Sequence, residues 1–242
     1  MSLRRTLRLL TISALLTSSY LAFAYTAPSN QMVDQAKAKF TQNMISQYNF
    51  QPAEINRIMQ HIKYNPKVIK AITHPAEKKS WKWYKNFFIT DNRVTSGIAY
   101  WQAHQKTLQQ VQEKYGVDPS VIVSIIGIES AYGRNTGGFN TLNSLGTLAF
   151  YYPRRAAFFQ KELAQFLILT REQQLPTMKM TASYAGALGI PQFMPSSYRH
   201  YAVDFSGTKH IDLLHDHDDA IASIANYLKE AGWVKGQPIA SH

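Results

Sequence analysis

Apolar side chains recur every three or four positions through most of this sequence, and that spacing predicts α-helices. The first helix is expected over residues 31–48, where one apolar stripe would face a core. The stripe consists of Val33, Ala36, Phe40, Met44 and Tyr48. Strand signals are weak throughout, so the pattern predicts a mainly α fold. Further helices are expected from Pro52 onward and over 65–72, 97–115, 119–130, 154–173 and 219–232.

The segment 119–130 differs from the other predicted helices because it is apolar nearly all round. Asp118 is a good N-cap and Pro119 suits the first helical position. A helix without a polar face is expected to be buried inside a domain. It nevertheless ends in a carboxylate, Glu129.

Residues 1–24 have the pattern of a secretory signal peptide. Three arginines precede a mostly apolar run from Leu9 to Phe23, and Ala22-Phe23-Ala24 fits a cleavage site before Tyr25. An uncleaved anchor is the alternative, although the run is short for a membrane span and contains Ser and Thr. We therefore expect a periplasmic protein without stable membrane insertion. The chain has no cysteine, which excludes disulfides and a lipid-anchored N-terminus.

The chain is basic, with a formal net charge of +11 that falls to +8 once the three arginines of the leader are removed. An exported basic protein is suited to anionic polymers such as cell wall, surface lipid or nucleic acid. Positive charge is spread along the sequence instead of forming one stripe, so we do not expect nucleic acid to be the partner.

Glu129 is the candidate catalytic residue. Burial among apolar neighbours and the negative end of its helix would both raise the pKa of this carboxyl group. A carboxylic acid kept protonated near neutral pH is what protonates a leaving glycosidic oxygen. The structural alternative is a Glu that caps a loop or pairs with Arg134. No second carboxylate has a comparable setting, which favours substrate-assisted chemistry over a two-carboxylate mechanism.

Three long stretches carry a family resemblance. "GIESAYGRNTGGFNTLNSLGTLAFYYPRRAAFF" (127–159), "SYAGALGIPQFMPSSYRHYAVDFSG" (183–207) and "DDAIASIANYLKEAGW" (218–233) closely resemble membrane-bound lytic murein transglycosylase B and its soluble derivative. The resemblance implies a mainly α fold with an α+β lysozyme-like core, in which a helical domain packs around a saccharide-binding groove. It also implies cleavage of the MurNAc–GlcNAc β-1,4 bond of peptidoglycan, leaving 1,6-anhydro-MurNAc ends, with no required cofactor.

The resemblance also assigns residues. Glu129 matches the single acid/base, while Ser183, Gln192 and Phe193 match the loop that contacts the saccharide. Arg154 and Arg155 match positions near the stem peptide, where guanidinium groups suit carboxylates; solvated surface is the alternative. Tyr132 would line the groove or pack in the core. Expected partners are glycan strands and stem peptides, and other cell-wall enzymes are further candidates.

Family members often carry a calcium loop after "YAVDFSG". The matching candidates here are Asp204, Ser206, Thr208 and Asp219. Lys209 occupies the place of the turn glycine, and the spacing to the final acid is one residue longer, so calcium is not expected to bind. "HDHDD" could attract a transition metal, but a solvated acidic loop before a helix is the favoured interpretation of this segment.

Domain organisation follows from these assignments: signal peptide 1–24, N-terminal helical region 25–115 and lysozyme-like core 116–242. The family continues well beyond the "GWVKG" segment, so the resemblance implies a core shortened at its C-terminus. Two alternatives to the transglycosylase therefore stay open, a catalytically impaired peptidoglycan-binding protein and a hydrolytic muramidase.

Overall fold

The computed structural model describes residues 25–74 and 80–237. Within these ranges the chain forms eleven α-helices, a 3-10 turn at Pro153–Arg155 and two short antiparallel strands. The strands, β1 (Phe139–Asn140) and β2 (Thr181–Ala182), pair with Phe139 opposite Ala182. The predicted mainly α class is confirmed. The helices are α1 (Asn30–Tyr48), α2 (Pro52–His61), α3 (Pro66–Thr73), α4 (Trp81–Phe88), α5 (Asp91–Ala103), α6 (Gln105–Tyr115), α7 (Pro119–Ser130), α8 (Thr141–Tyr151), α9 (Ala156–Glu172), α10 (Pro195–Tyr201) and α11 (His217–Glu230).

Local sequence signals account for several helix boundaries. The Asp118 side chain accepts a hydrogen bond from the Ser120 amide at 2.7 Å, and Pro119 is the first helical residue of α7, as predicted. The stripe predicted for α1 is also confirmed, because Val33, Phe40 and Met44 are buried.

The most buried helix is α8, which packs along α9. For α7, the prediction of burial on all sides was wrong. Ile122 and Ile126 are fully buried, but Ser124, Ile128 and Glu129 are exposed on the opposite flank. This exposed flank borders an open apolar cleft of about 540 Å³ that is also lined by residues of α5.

The single helix predicted over 97–115 is two helices that meet at His104. This residue leaves helical geometry, with φ −113° and ψ 21°. The His104 imidazole packs against the rings of both Tyr100 and His217, whose centroids lie 4.4 and 4.9 Å from its own. The break coincides with contacts to α11, which lies more than a hundred residues later in the chain. Local periodicity cannot predict contacts between such distant residues.

Helices before residue 115 pack directly on helices after it. The α6 helix lies along α11, and α1 contacts both α8 and α9. The Trp233 indole N–H donates to the Gly116 carbonyl at 3.0 Å, joining the end of α11 to the α6–α7 junction. The domain boundary at 115/116 stays a prediction.

Within 25–74 and 80–237, no helix combines the length and apolar character that a membrane crossing requires. The signal-peptide prediction for 1–24 lies outside the described residues.

Candidate active site

The candidate site begins where α7 ends. Glu129 is the penultimate residue of the helix, and the two residues that follow the helix, Ala131 and Tyr132, both adopt left-handed backbone geometry (φ 51° and 64°). The amides of both bond back to the Ile126 carbonyl. Such a C-cap turns the chain sharply away from the helix axis. Glu129 is therefore left at the mouth of a cavity instead of being covered by the following residues.

Tyr132 fixes this turn. Its hydroxyl donates to the Arg93 carbonyl at 2.9 Å, and the Arg93 guanidinium donates to the Gly127 carbonyl. A Cβ atom at Gly97 or Gly127 would lie 2.6 or 2.7 Å from the Tyr132 hydroxyl oxygen, so only glycine leaves space for the phenol between α5 and α7. Tyr132 thus packs behind α7 and does not line the cavity of Glu129.

Glu129 opens into a cavity of about 320 Å³ and is the only acidic residue in its wall among the residues that the structure describes. The loop between β2 and α10 forms one side, and α11 forms the other. The structure brings the predicted residues Gln192 and Phe193 to this cavity. The remaining wall residues are Ile125, Pro191, Met194, Ser197, Ile224 and Tyr227.

The Glu129 carboxylate has no hydrogen bond or ion pair with any other part of the chain that the structure describes. Arg134, the ion-pair partner considered from the sequence, does not pair with Glu129. It donates to the Ser96 hydroxyl at 3.3 Å and lies over the Tyr132 ring. Partial desolvation by the cavity wall raises the pKa of Glu129 above the ordinary glutamate value. An uncompensated carboxyl group with a raised pKa, set in a cavity, is suited to act as a general acid.

Gln192 braces the loop that faces Glu129. It has a left-handed backbone, and its side-chain amide nitrogen donates to the carbonyls of Thr136 and Gly189 at 3.1 and 2.8 Å. Both N–H groups are therefore occupied, which leaves the amide oxygen as the group available to a ligand. Phe193 is held by a two-way backbone bridge with Leu188 and packs against the Tyr227 ring at 5.6 Å.

The other predicted binding residues lie outside the Glu129 cavity. The Ser183 hydroxyl accepts a hydrogen bond from the Ala187 amide at 3.0 Å and so closes a turn of its own loop. Arg154 and Arg155 are exposed on the 3-10 turn after α8, and the Arg155 guanidinium stacks on Phe158 at 4.1 Å.

Tyr227 is the wall residue that sequence reasoning missed most completely. It lies on α11, about a hundred residues beyond Glu129, within a helix that looks ordinary in sequence. The only local signal is its spacing of three from Ile224, which places both side chains on one helical face. Met194 and Ser197 could have been predicted, because both belong to the "QFMPSS" segment that contains Gln192 and Phe193.

The loop from Asp204 to Asp219 does not fit calcium. The Asp219 side chain is fully buried, and its two oxygens accept hydrogen bonds from the amides of Phe205, Ser206 and Asp212 at 2.8 to 3.0 Å. The Asp204 carboxylate likewise accepts from three amides, those at 207, 208 and 209. Backbone N–H groups thus occupy the oxygens that a cation requires. In the described ranges no cluster of three or more His, Asp or Glu side chains is arranged to hold a metal, "HDHDD" included.

Comparisons with known proteins agree with this fold. The chain belongs to the Transglycosylase SLT domain family, whose model matches residues 32–242. It is 40% identical over 212 residues to membrane-bound lytic murein transglycosylase B of Escherichia coli, an alignment that covers 84% of this chain.

Two solved structures are also similar. Soluble lytic transglycosylase SltB1 from Pseudomonas aeruginosa shares 45% identity with a TM-score of 0.80, over 84% of this chain and 69% of that chain. SltB3 from the same organism, in complex with NAG-NAM-pentapeptide, shares 33% identity with a TM-score of 0.75, over 86% of this chain and 55% of that chain. These likenesses confirm the lysozyme-like fold class. The chain spans 58% of the length of its curated Escherichia coli relative.

Proposed function

We propose that this protein is a peptidoglycan lytic transglycosylase that cleaves the MurNAc–GlcNAc β-1,4 bond and leaves 1,6-anhydro-MurNAc ends. The observation that carries the proposal is the state of Glu129. Within the described ranges it is the sole carboxylate of its cavity and has no partner, and desolvation raises its pKa. Membership of the transglycosylase family and the similarity to a lytic murein transglycosylase support the substrate class.

In the first step, protonated Glu129 donates its proton to the glycosidic oxygen, and the C1–O bond breaks as the GlcNAc hydroxyl leaves. The N-acetyl group of the muramyl residue assists at C1. In the second step the Glu129 carboxylate removes the proton from the muramyl 6-hydroxyl, whose oxygen bonds to C1. The ring closes to the 1,6-anhydro product, and Glu129 regains the proton that it lost.

The wall residues hold the sugar in place. The rings of Phe193 and Tyr227 offer flat apolar surfaces to pyranose faces, and the free amide oxygen of Gln192 accepts from a sugar hydroxyl or N-acetyl N–H. Among the described residues Glu129 is the only acid that lines the cavity, so none of them places a carboxylate across from it to act as nucleophile or to activate water. This arrangement favours ring closure over hydrolysis by a muramidase.

The product assay tests the proposal directly. We expect residues 25–242 to clear a suspension of purified peptidoglycan and to release muropeptides with 1,6-anhydro ends, detected by mass spectrometry. If the released products carried only reducing ends, the protein would be a hydrolytic muramidase instead. Sedimentation with the wall without any clearing would support the catalytically impaired alternative.

The pH profile is a second expected result. Glu129 must be protonated in the free enzyme, so kcat/KM should be high below its pKa and fall as pH rises through it. Since desolvation raises that pKa, the midpoint of the alkaline limb should lie above the ordinary glutamate value. Initial rates on soluble glycan fragments from about pH 3 to 9 would measure it. If the midpoint of the alkaline limb lay at or below the ordinary pKa of glutamate, the assignment of Glu129 as the general acid would be contradicted.

The site of action follows as part of the same proposal. We infer export by the leader over 1–24 and action in the periplasm, where peptidoglycan strands and their stem peptides are the partners. Other cell-wall enzymes are further candidate partners.

A further inference from the structure

One buried acid has no part in the chemistry proposed for Glu129. Glu162 lies in the middle of α9 and is only 2% exposed. Phe159 and Phe166, three residues before and four residues after it on the same face of the helix, are buried as well. A carboxylate on an apolar helix face is costly unless hydrogen bonds compensate for the lost water. The bonding partners of Glu162 therefore indicate its role.

Both side-chain oxygens of Glu162 accept hydrogen bonds from one residue of α10. The Ser196 amide donates to one oxygen at 2.9 Å, and the Ser196 hydroxyl donates to the other at 2.7 Å. Ser196 is the second residue of α10, and Pro195 before it has no N–H group. The Ser196 amide is therefore the first N–H of the helix, where no carbonyl of the helix can accept it. Glu162 supplies the missing acceptor from the neighbouring helix.

The N-cap residue of α10 does not supply that acceptor itself. Position 194 is a methionine, which makes no side-chain capping hydrogen bond. Serine, threonine, aspartate or asparagine is usual at an N-cap because the side-chain oxygen accepts from the first amides of the helix. Met194 instead lines the Glu129 cavity, and so does Ser197 in the first turn of α10. An acceptor from α9 leaves the N-cap position free to carry an apolar wall residue.

We infer that Glu162 is a positioning residue, which caps α10 from α9 and so holds Met194 and Ser197 in the wall of the Glu129 cavity. The Met194 side chain contributes apolar surface to that wall, and the Ser197 hydroxyl is suited to bind a sugar oxygen. Glu162 is not one of the wall residues, so it acts on a ligand only through α10. The inference rests on the proposed function, because it takes the ligand of this cavity to be a saccharide.

Kinetic measurements separate a positioning role from a role in stability alone. Glu162→Gln keeps the length of the side chain but replaces one acceptor oxygen with an NH₂ group, which cannot accept from Ser196. We expect it to raise KM on soluble glycan fragments by about three- to tenfold and to change kcat by less than about twofold. The physical reason is that the cavity loses a correctly placed wall while Glu129 is untouched.

Asn65→Ala is the matched control, because it also removes an acceptor from the first turn of a helix. The Asn65 side chain caps α3 by accepting from the Lys67 amide at 3.0 Å, and no residue of α3 lines the Glu129 cavity. Both variants should lower the melting temperature, but Asn65→Ala should leave KM unchanged. Ser196→Ala removes only the hydroxyl bond to Glu162 and should raise KM by less than Glu162→Gln does. Added to Glu162→Gln, it should raise KM little further, since both changes break the same contact.

A spectroscopic measurement tests the position of the wall without any substrate. In protein with isotope-labelled methionine methyl groups, the NMR signal of Met194 is assigned by its loss in Met194→Leu. Glu162→Gln should shift or broaden this signal, and Asn65→Ala should leave it in place. An unmoved Met194 signal together with an unchanged KM would overturn the positioning role, even if Glu162→Gln lowered the melting temperature.

Binding distinguishes this inference from the proposed function. In a Glu129→Gln background, Glu162→Gln should weaken binding of a soluble GlcNAc-MurNAc fragment by the same factor as it raises KM. If the unaltered protein cleaved no peptidoglycan, yet Glu162→Gln weakened binding of the fragment and moved the Met194 signal, the proposed function would fail and the positioning role would stand. If the protein released anhydro products and Glu162→Gln changed neither binding nor the Met194 signal, only the positioning role would fail.

Discussion

Replacing Glu129 with Gln is expected to lower turnover of peptidoglycan by about 10³-fold or more, because a carboxamide can neither donate the first proton nor accept the second. The same change should spare binding to insoluble wall, since the Phe193 and Tyr227 surfaces remain. Muropeptide release and co-sedimentation with purified peptidoglycan would measure the two effects separately.

The stability of this variant gives a second, independent result. Because the pKa of Glu129 is higher in the folded than in the unfolded protein, its contribution to stability is present at low pH and is lost as pH rises through the folded-state value. Above the folded-state pKa the ionised carboxylate therefore opposes folding, and at those pH values Glu129→Gln should leave the melting temperature equal or higher. Glu113→Gln, at an exposed site on α6, is the control and should retain activity. A Glu129→Gln protein that still releases anhydro products would remove Glu129 from the mechanism.

Replacing Asp219 with Ala is expected to be the most damaging change to stability, by about 3–5 kcal/mol. The substitution leaves the amides of Phe205, Ser206 and Asp212 without their acceptor. Because α11 carries Asp219 and Tyr227 together, loosening of the loop should reach the cavity wall. Thermal unfolding should show a melting temperature lower by about 10 °C or more.

Three comparisons sharpen this experiment. Asp219→Asn keeps one acceptor oxygen and should fall between the Ala variant and the unaltered protein. Asp34→Ala, at an exposed site on α1, should change the melting temperature little. Calcium and chelator should give the same unfolding curve within about 1 °C, because a cation that bound only the folded protein would raise it. A clearly higher melting temperature with calcium would show that the carboxylates of this loop bind a metal in place of the backbone amides.

Helix positions were largely predictable, because they depend on signals close together in sequence. Asp118 and Pro119 begin α7 through contacts within one turn, and the buried stripe of α1 repeats at helical spacing. The break at His104 was not predictable in this way. It accompanies packing of its ring against His217, a contact that local periodicity does not contain.

The candidate site divides along the same line. Glu129, Gln192 and Phe193 lie in long ordered motifs, and the fold brings all three to one cavity. Tyr227 has no comparable signature, since a tyrosine on α11 is an ordinary surface residue until the helices are packed. Tyr132 stands within the strongest motif of the sequence, yet its side chain occupies a slot between two glycines behind α7.

The sequence by itself determined the class of fold, the helix that carries the acid and the family to which the chain belongs. These depend on short-range periodicity, caps and contiguous motifs. Only the tertiary structure decided that Glu129 lacks a partner within the described ranges, that backbone amides occupy the acids of the Asp204–Asp219 loop, and that Tyr227 lies in the same cavity as Glu129. The physical reason is that burial, charge pairing and cavity shape arise between elements distant in the chain, where desolvation and hydrogen-bond geometry act only after packing.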